Sequence, residues 1–221
     1  VDVAEDVMIG HGLEEFTPVM PTDFTVGRLS PVEEFSRKVK DIMTGLGFQE
    51  MMYNYLGSKK EYIDNMHISP DKAVFIANPM SENYEVIRPS ILPCLLESES
   101  VSGHAVYPHL IFECGKVTVK DENDNSGTHT GNSVGFLAAN VSMGYNDAAS
   151  YIQTLMYFLR KDYTLSPVED DPRFIPGRAA YVMYKGEKAG VFGETHPAVL
   201  ESWGCTMPAI MAELDMDILL K

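Results

Sequence analysis

The residues best suited to chemistry stand at the start of the chain. Asp2, Glu5 and Asp6 are spaced i, i+3 and i+4, so a helix through them projects three carboxylates from one face. Oxygen donors in that arrangement suit a hard divalent cation. Acids near a helix N-terminus are equally favoured by the helix dipole and can simply face water, and spacing does not separate the two readings. The six histidines, His11, His67, His104, His109, His129 and His196, never pair at i+2 to i+4, so a surface or capping role is expected of each ahead of metal ligation. His196, directly before Pro197, suits the cap of a helix. Cys94, Cys114 and Cys205 are odd in number and include no C-x-x-C pair, which points away from a disulfide framework or zinc site and fits a reducing cytoplasm. Cys94 beside Pro93, with nothing basic near it in sequence, reads as a small core residue rather than a nucleophile. Gly190 and Gly193 stand at a spacing that could cradle a ligand, but a tight turn leading into the Pro197 helix is the favoured reading. The sequence contains no P-loop, dinucleotide fingerprint, G-x-S-x-G elbow or H-E-x-x-H pair.

The elements that must position these residues alternate between helical and strand periods. Residues 2–9 predict a short helix stopped at Gly10. Ser30-Pro31-Val32-Glu33 is a helix start with a Ser cap, Pro at the first position and Glu three residues on. Phe35, Val39, Ile42, Met43 and Leu46 follow at helical spacing, and Gly47 ends the run. The aromatic-rich stretch from Phe48 to Leu56 then predicts a strand. Strands are expected at 73–77, 109–119, 133–139, 179–184, 188–192 and 209–217, with Lys185-Gly186-Glu187 as a hairpin signal. Helices are expected from Ser90 to Val101, after an Asn146-Asp147 cap, and from Pro197 to Gly204, while 121–127 reads as a solvated loop. Hairpins and single helices without strict βαβ alternation argue for an α+β fold with a largely antiparallel sheet.

At roughly 100–200 residues per domain, 221 residues make one large domain or two small ones. No linker divides them. Seventeen Lys and Arg against 32 Asp and Glu give a net charge of −15, which argues against a basic nucleic-acid module or an anionic membrane surface. No apolar run approaches the roughly 18 residues of a membrane span. A start at Val1, already inside a patterned helix, suggests a piece of a longer polypeptide.

Four blocks together are similar to the phenylalanyl-tRNA synthetase β-subunit family. The first is Asn78-Pro79-Met80-Ser81-Glu82 with Ile87-Arg88-Pro89-Ser90-Ile91-Leu92-Pro93-Cys94-Leu95-Leu96-Glu97, and the second is Ile111-Phe112-Glu113-Cys114-Gly115-Lys116-Val117. The third joins Pro176-Gly177-Arg178-Ala179-Ala180 to Gly190-Val191-Phe192-Gly193-Glu194-Thr195-His196-Pro197, and Glu213-Leu214-Asp215-Met216-Asp217 closes the series. They fall in the family's order, and their marker residues are Arg88, Pro93, Glu113, Gly115, Arg178, Gly193, His196 and Pro197.

The resemblance implies a class II synthetase-like antiparallel sheet flanked by helices over residues 21–221, behind residues 1–20 as the tail of a B5-type domain. It implies a non-catalytic structural and assembly module. ATP-dependent charging of tRNA(Phe) with phenylalanine would take place at an α subunit, within an (αβ)₂ heterotetramer in the cytoplasm. Ser30 to Leu56 would be the motif 1 element, making Phe35, Val39, Ile42, Met43 and Leu46 candidates to meet a partner or the chain's own core. Class II catalysis needs arginines for the ATP phosphates, yet the motif-2-like strand carries Glu113 and no G-x-G-x-E-R follows Asp217. The resemblance further implies Asp2, Glu5 and Asp6 as Mg²⁺ ligands of the intact subunit, together with an upstream Asp absent from this chain, so weak or no binding is expected here. The alternative is a stand-alone synthetase-like paralogue holding a small ligand such as an amino acid.

Overall fold

The computed structural model describes residues Val1–Lys221, in two units, Val1–Ser30 and Pro31–Lys221. In the first, α1 (Asp2–His11) is followed by a single 3₁₀ turn, Leu13–Glu15, and buries none of its residues. The helix runs through Gly10, because glycine in a helix costs only about 1 kcal/mol. It ends at Gly12, whose φ of 106° suits glycine.

The second unit runs, in chain order, α2 (Pro31–Gly45), β1 (Gln49–Glu50), β2 (Leu56–Gly57), β3 (Val74–Phe75), β4 (Val86–Ile87), α3 (Leu92–Val101), β5 (His109–Lys120), β6 (Thr128–Ala139) and α4 (Tyr145–Leu159). It continues with β7 (Thr164–Pro167), β8 (Phe174–Tyr184), β9 (Glu187–Thr195), α5 (Pro197–Trp203), β10 (Ala209–Asp215) and α6 (Met216–Leu220). Seven strands form one sheet in the order β1-β5-β6-β10-β9-β8-β7, antiparallel throughout except for the parallel pair β1–β5. A small sheet, β2-β4-β3, stands apart. The architecture is the expected α+β class, a largely antiparallel sheet flanked by helices.

Strand alternation divides the side chains of the large sheet between two cores. On one face Phe112, Phe136, Ile210, Ala212 and Phe192 meet Val39 and Met43 of α2, Ile152, Leu155 and Met156 of α4, and Leu219 of α6. Phe48 joins this core edge-on to Phe136 at 5.3 Å and to Tyr151 at 4.9 Å. On the other face Leu137, Ala139, Val191 and Met211 meet Ile91 at the cap of α3, Leu92, Leu95 and Leu96 from α3 and Val199 from α5. Each fully buried aliphatic side chain of these layers contributes about 1.5–3 kcal/mol.

Several local expectations change. The segment from Phe48 to Leu56 is not one strand: only Gln49–Glu50 pairs with β5, after which Tyr53 turns to hydrogen-bond Ser98 and Tyr55 lies under the Arg88 guanidinium. α4 is capped at Gly144, whose N–H donates to Asp147 at 2.9 Å, so the acid acts from inside the first turn. The last strand stops at Asp215, whose carboxylate accepts from the Ile218 N–H and starts α6. The 185–186 turn is as expected: Lys185 and Gly186 both take positive φ, 49° and 82°, as a two-residue hairpin turn requires.

Candidate functional site

Arg88 is the most buried charge of the chain. It follows β4 and is fully enclosed, with Nη1 and Nη2 donating to the two oxygens of Glu113 at 2.8 Å each and Nε donating to the Lys116 carbonyl at 2.9 Å. The guanidinium lies 4.6 Å from the Tyr55 ring centre. Burial opposes its charge, but the Glu113 hydrogen bonds and attraction outweigh burial and raise its pKa. Gly115 belongs to the same cluster, since a Cβ there would overlap Arg88 Nη2 and come within 2.7 Å of Glu113 Oε1. Cys94 therefore has a basic neighbour, Arg88 Nη1 at 3.9 Å, which the local sequence did not reveal. Burial still dominates and pushes its thiol up. Burial likewise raises Cys114 and Cys205 to about 12, so none of the three is poised as a nucleophile.

Other residues of the four motif blocks also hold the sheet. Ser90 donates its hydroxyl to Glu213, and the Ile91 N–H donates to the same carboxylate at 3.0 Å, tying the start of α3 to β10. Pro93 sits in the first turn of α3, where no N–H is needed. Arg178 pairs with Glu194 at 2.7 Å, and Glu194 also accepts from the Tyr145 N–H at 2.8 Å. His196 caps α5, its Nδ1 accepting from the Ala198 N–H at 3.1 Å, with Pro197 opening the helix. Gly190 and Gly193 form neither a cradle nor a turn. Both lie inside β9, where a Cβ at Gly193 would stand 2.6 Å from Ala179 Cβ and from the Arg178 carbonyl oxygen.

The face of the sheet that carries α3 holds no free guanidinium. Arg88 is bound to Glu113 and Arg173 donates to Asp171 at 2.8 and 2.6 Å, while Arg178 is paired with Glu194 beside the start of α4. Lys188 lies over the Tyr181 ring at 3.6 Å. Pro197, Leu200, Met207 and Pro208 line an open cleft of about 660 Å³ together with the Arg178–Glu194 pair.

The remaining expected residues are scattered by role. Asp2, Glu5 and Asp6 are all exposed on α1, and no three His, Cys, Asp or Glu side chains of the chain converge to hold a metal. Of the α2 stripe, Val39 and Met43 are wholly buried and serve this chain's own core, whereas Phe35, Ile42 and Leu46 are half-buried. Ile42 and Leu46 border a hollow of about 350 Å³ with Phe158 of α4. Glu99, which is buried, forms a cluster with the half-buried Tyr107 and His109 that the sequence does not signal. Glu99 accepts from the Tyr107 hydroxyl at 3.1 Å and meets His109 Nδ1 at 2.8 Å, fastening α3 to the loop that follows it and to the start of β5. No sequence spacing signals it, because its members lie on different elements.

Comparison with known proteins agrees with this arrangement. The family model described as the phenylalanyl tRNA synthetase beta chain CLM domain matches residues 16–216. A phenylalanine–tRNA ligase beta subunit of Borreliella burgdorferi is 47% identical across the whole chain, and that of Treponema pallidum 44%. The chain spans 39% and 36% of the length of these two relatives. With a fold, four motif blocks and a match over nearly all of its length in agreement, this chain belongs to the phenylalanyl-tRNA synthetase β-chain family.

Proposed function

We propose that this chain is the non-catalytic, class II-like module of a phenylalanyl-tRNA synthetase β subunit, supporting the geometry and assembly of an α subunit that performs ATP-dependent phenylalanylation of tRNA(Phe). The observation that carries the proposal is the filling of the sheet face bearing α3. Aliphatic side chains of α3 and α5 cover it, and Arg88 and Arg173 beside it are each already committed to a carboxylate. Adenylate formation needs preorganised cations for the triphosphate oxygens, and releasing Arg88 for that purpose would leave Glu113 buried and unpaired.

Assembly as an (αβ)₂ heterotetramer would use the exposed side of the α2 stripe, Phe35, Ile42 and Leu46, beside Phe158. With a net charge of −15, this portion would grip tRNA little by itself, and ATP would be held at the α subunit. The three carboxylates of α1 do not by themselves form a closed Mg²⁺ site, so magnesium binding would belong to the intact subunit with a further oxygen ligand.

The test is co-expression of the full β subunit with its α subunit, followed by size exclusion and phenylalanine-dependent pyrophosphate exchange. Association with α, exchange by the complex and none by this chain alone are expected. Exchange by this chain alone would refute the non-catalytic reading, and failure of the full subunits to associate would refute the assembly reading.

A further inference from the structure

Two hollows adjoin along α3. One, of about 660 Å³, lies between α3 and the segment running from Met52 to Gly57. The other, of about 710 Å³, lies between the end of α3, the connection from α2 into β1, and the start of β5. They share Ser98 and Val101 in their walls, so together they make one groove. Isolated exposed apolar side chains are ordinary on a protein surface, whereas a row of them along a concavity marks a contact site. Such a row is present here: Met52 is 90% exposed, Val101 70% and Val106 91%, with Tyr84 half exposed at the first hollow.

The charge of the groove is one-sided. Glu61 and Glu97 line its first half and no lysine or arginine lines either half, while Glu99 in the second half is buried and held by Tyr107 and His109. Partial burial, and then repulsion from Glu61, raises the Glu97 carboxyl, the direction expected of an acid with no cation beside it. The groove is also continuous with the α2 region, since Gly47, Gln49 and Met51 wall its second half. A lysine- or arginine-bearing apolar segment would therefore bury the exposed row and neutralise the acids in one contact.

We propose that this groove seats a segment of the α subunit in which apolar side chains are flanked by lysine or arginine. The proposal rests on the assembly reading above and specifies a second contact beyond α2.

The test uses full β and α subunits. Glu97→Lys, and separately the paired Met52→Asp and Val106→Asp, are each expected to weaken α–β association at least tenfold. The altered side chains are exposed, so the circular dichroism and melting temperature of β should be unchanged. Glu97→Gln should reduce the salt dependence of association. A photo-crosslinker in place of Val106 should capture a Lys- or Arg-containing peptide of α. Association within twofold of the unaltered pair for both charge variants, or a crosslink only to another part of β or to a second β subunit, overturns the groove proposal and leaves the assembly reading standing. Failure of unaltered β to bind α overturns both.

Discussion

Breaking the Arg88–Glu113 pair is the sharpest test of what holds this module together. Both side chains are essentially without exposure, and the two hydrogen bonds between them are 2.8 Å each. Removing one partner of a buried pair leaves an uncompensated charge and costs about 3–5 kcal/mol. Arg88→Met and Glu113→Leu should therefore each destabilise the chain by about 3–5 kcal/mol. With a urea slope of about 2 kcal/mol per molar, that is a midpoint shift of roughly 1.5–2.5 M. The double variant removes both charges and should be more stable than either single one, giving a coupling energy of roughly 3 kcal/mol or more in a double-mutant cycle. The pH dependence of Arg88→Met carries a second signature. Burial penalises a carboxylate only in its charged form, so the penalty on one left without a partner is absent below the unfolded value of about 4 and grows to its full size as pH rises from there. The deficit of Arg88→Met should accordingly shrink on acidification. Additive single costs together with a pH-independent deficit would refute the claim that this pair is a coupled, buried unit.

Gly193→Ala should lower the melting temperature by several degrees. Its Cβ meets Ala179 and the Arg178 backbone, which cannot yield like a flexible side-chain end, and such overpacking costs about 1–3 kcal/mol at about 2–4 °C each. Burial pushes the Asp171 carboxyl up, but hydrogen bonds and attraction from Arg173 outweigh it and hold the group below its ordinary value. That contribution is present above the unfolded pKa of about 3.9 and is lost as pH falls through the lower folded value, so Asp171→Asn should flatten the acid limb of a stability–pH profile. Calorimetry of this chain with Mg²⁺ should show no micromolar site, because the α1 carboxylates do not converge; a micromolar isotherm abolished by Glu5→Gln would contradict that expectation.

The long periodic elements were legible in the sequence because their signals are local. Pro31 and the Val39/Met43 stripe define α2, Lys185-Gly186 defines a hairpin turn, and Pro197 and Gly204 bracket α5. The misread segments obey distant partners instead. Tyr53 and Tyr55 carry strong strand propensity, yet Ser98 and Arg88 draw them out of the sheet. β7 is a four-residue edge strand ending in Pro167, too short to show a period. The Lys60–Asp64 turn is a π-helix, for which sequence offers no simple mark. Glu113 stands as a polar residue within an apolar strand, and its explanation lies 25 residues earlier at Arg88. The motif blocks were recognisable residue by residue, but only the fold shows that three of them meet, through Arg88 with Glu113 and Ser90 with Glu213.

The position of β10 has a consequence for the order in which the module is made. Last of the strands in sequence, it lies between β6 and β9, so the hairpin pairs β5–β6 and β8–β9 share no ladder until it arrives. On the ribosome, at about 5–20 residues per second, both hairpins emerge before the strand that joins them. Until then each presents an unpaired edge, the condition under which nascent sheets pair wrongly or recruit chaperones. Stalled nascent chains ending before Ala209 should thus remain protease-sensitive, and those with β10 clear of the exit tunnel should become resistant in one step. Protection acquired before β10 emerges would show instead that the halves are stable alone.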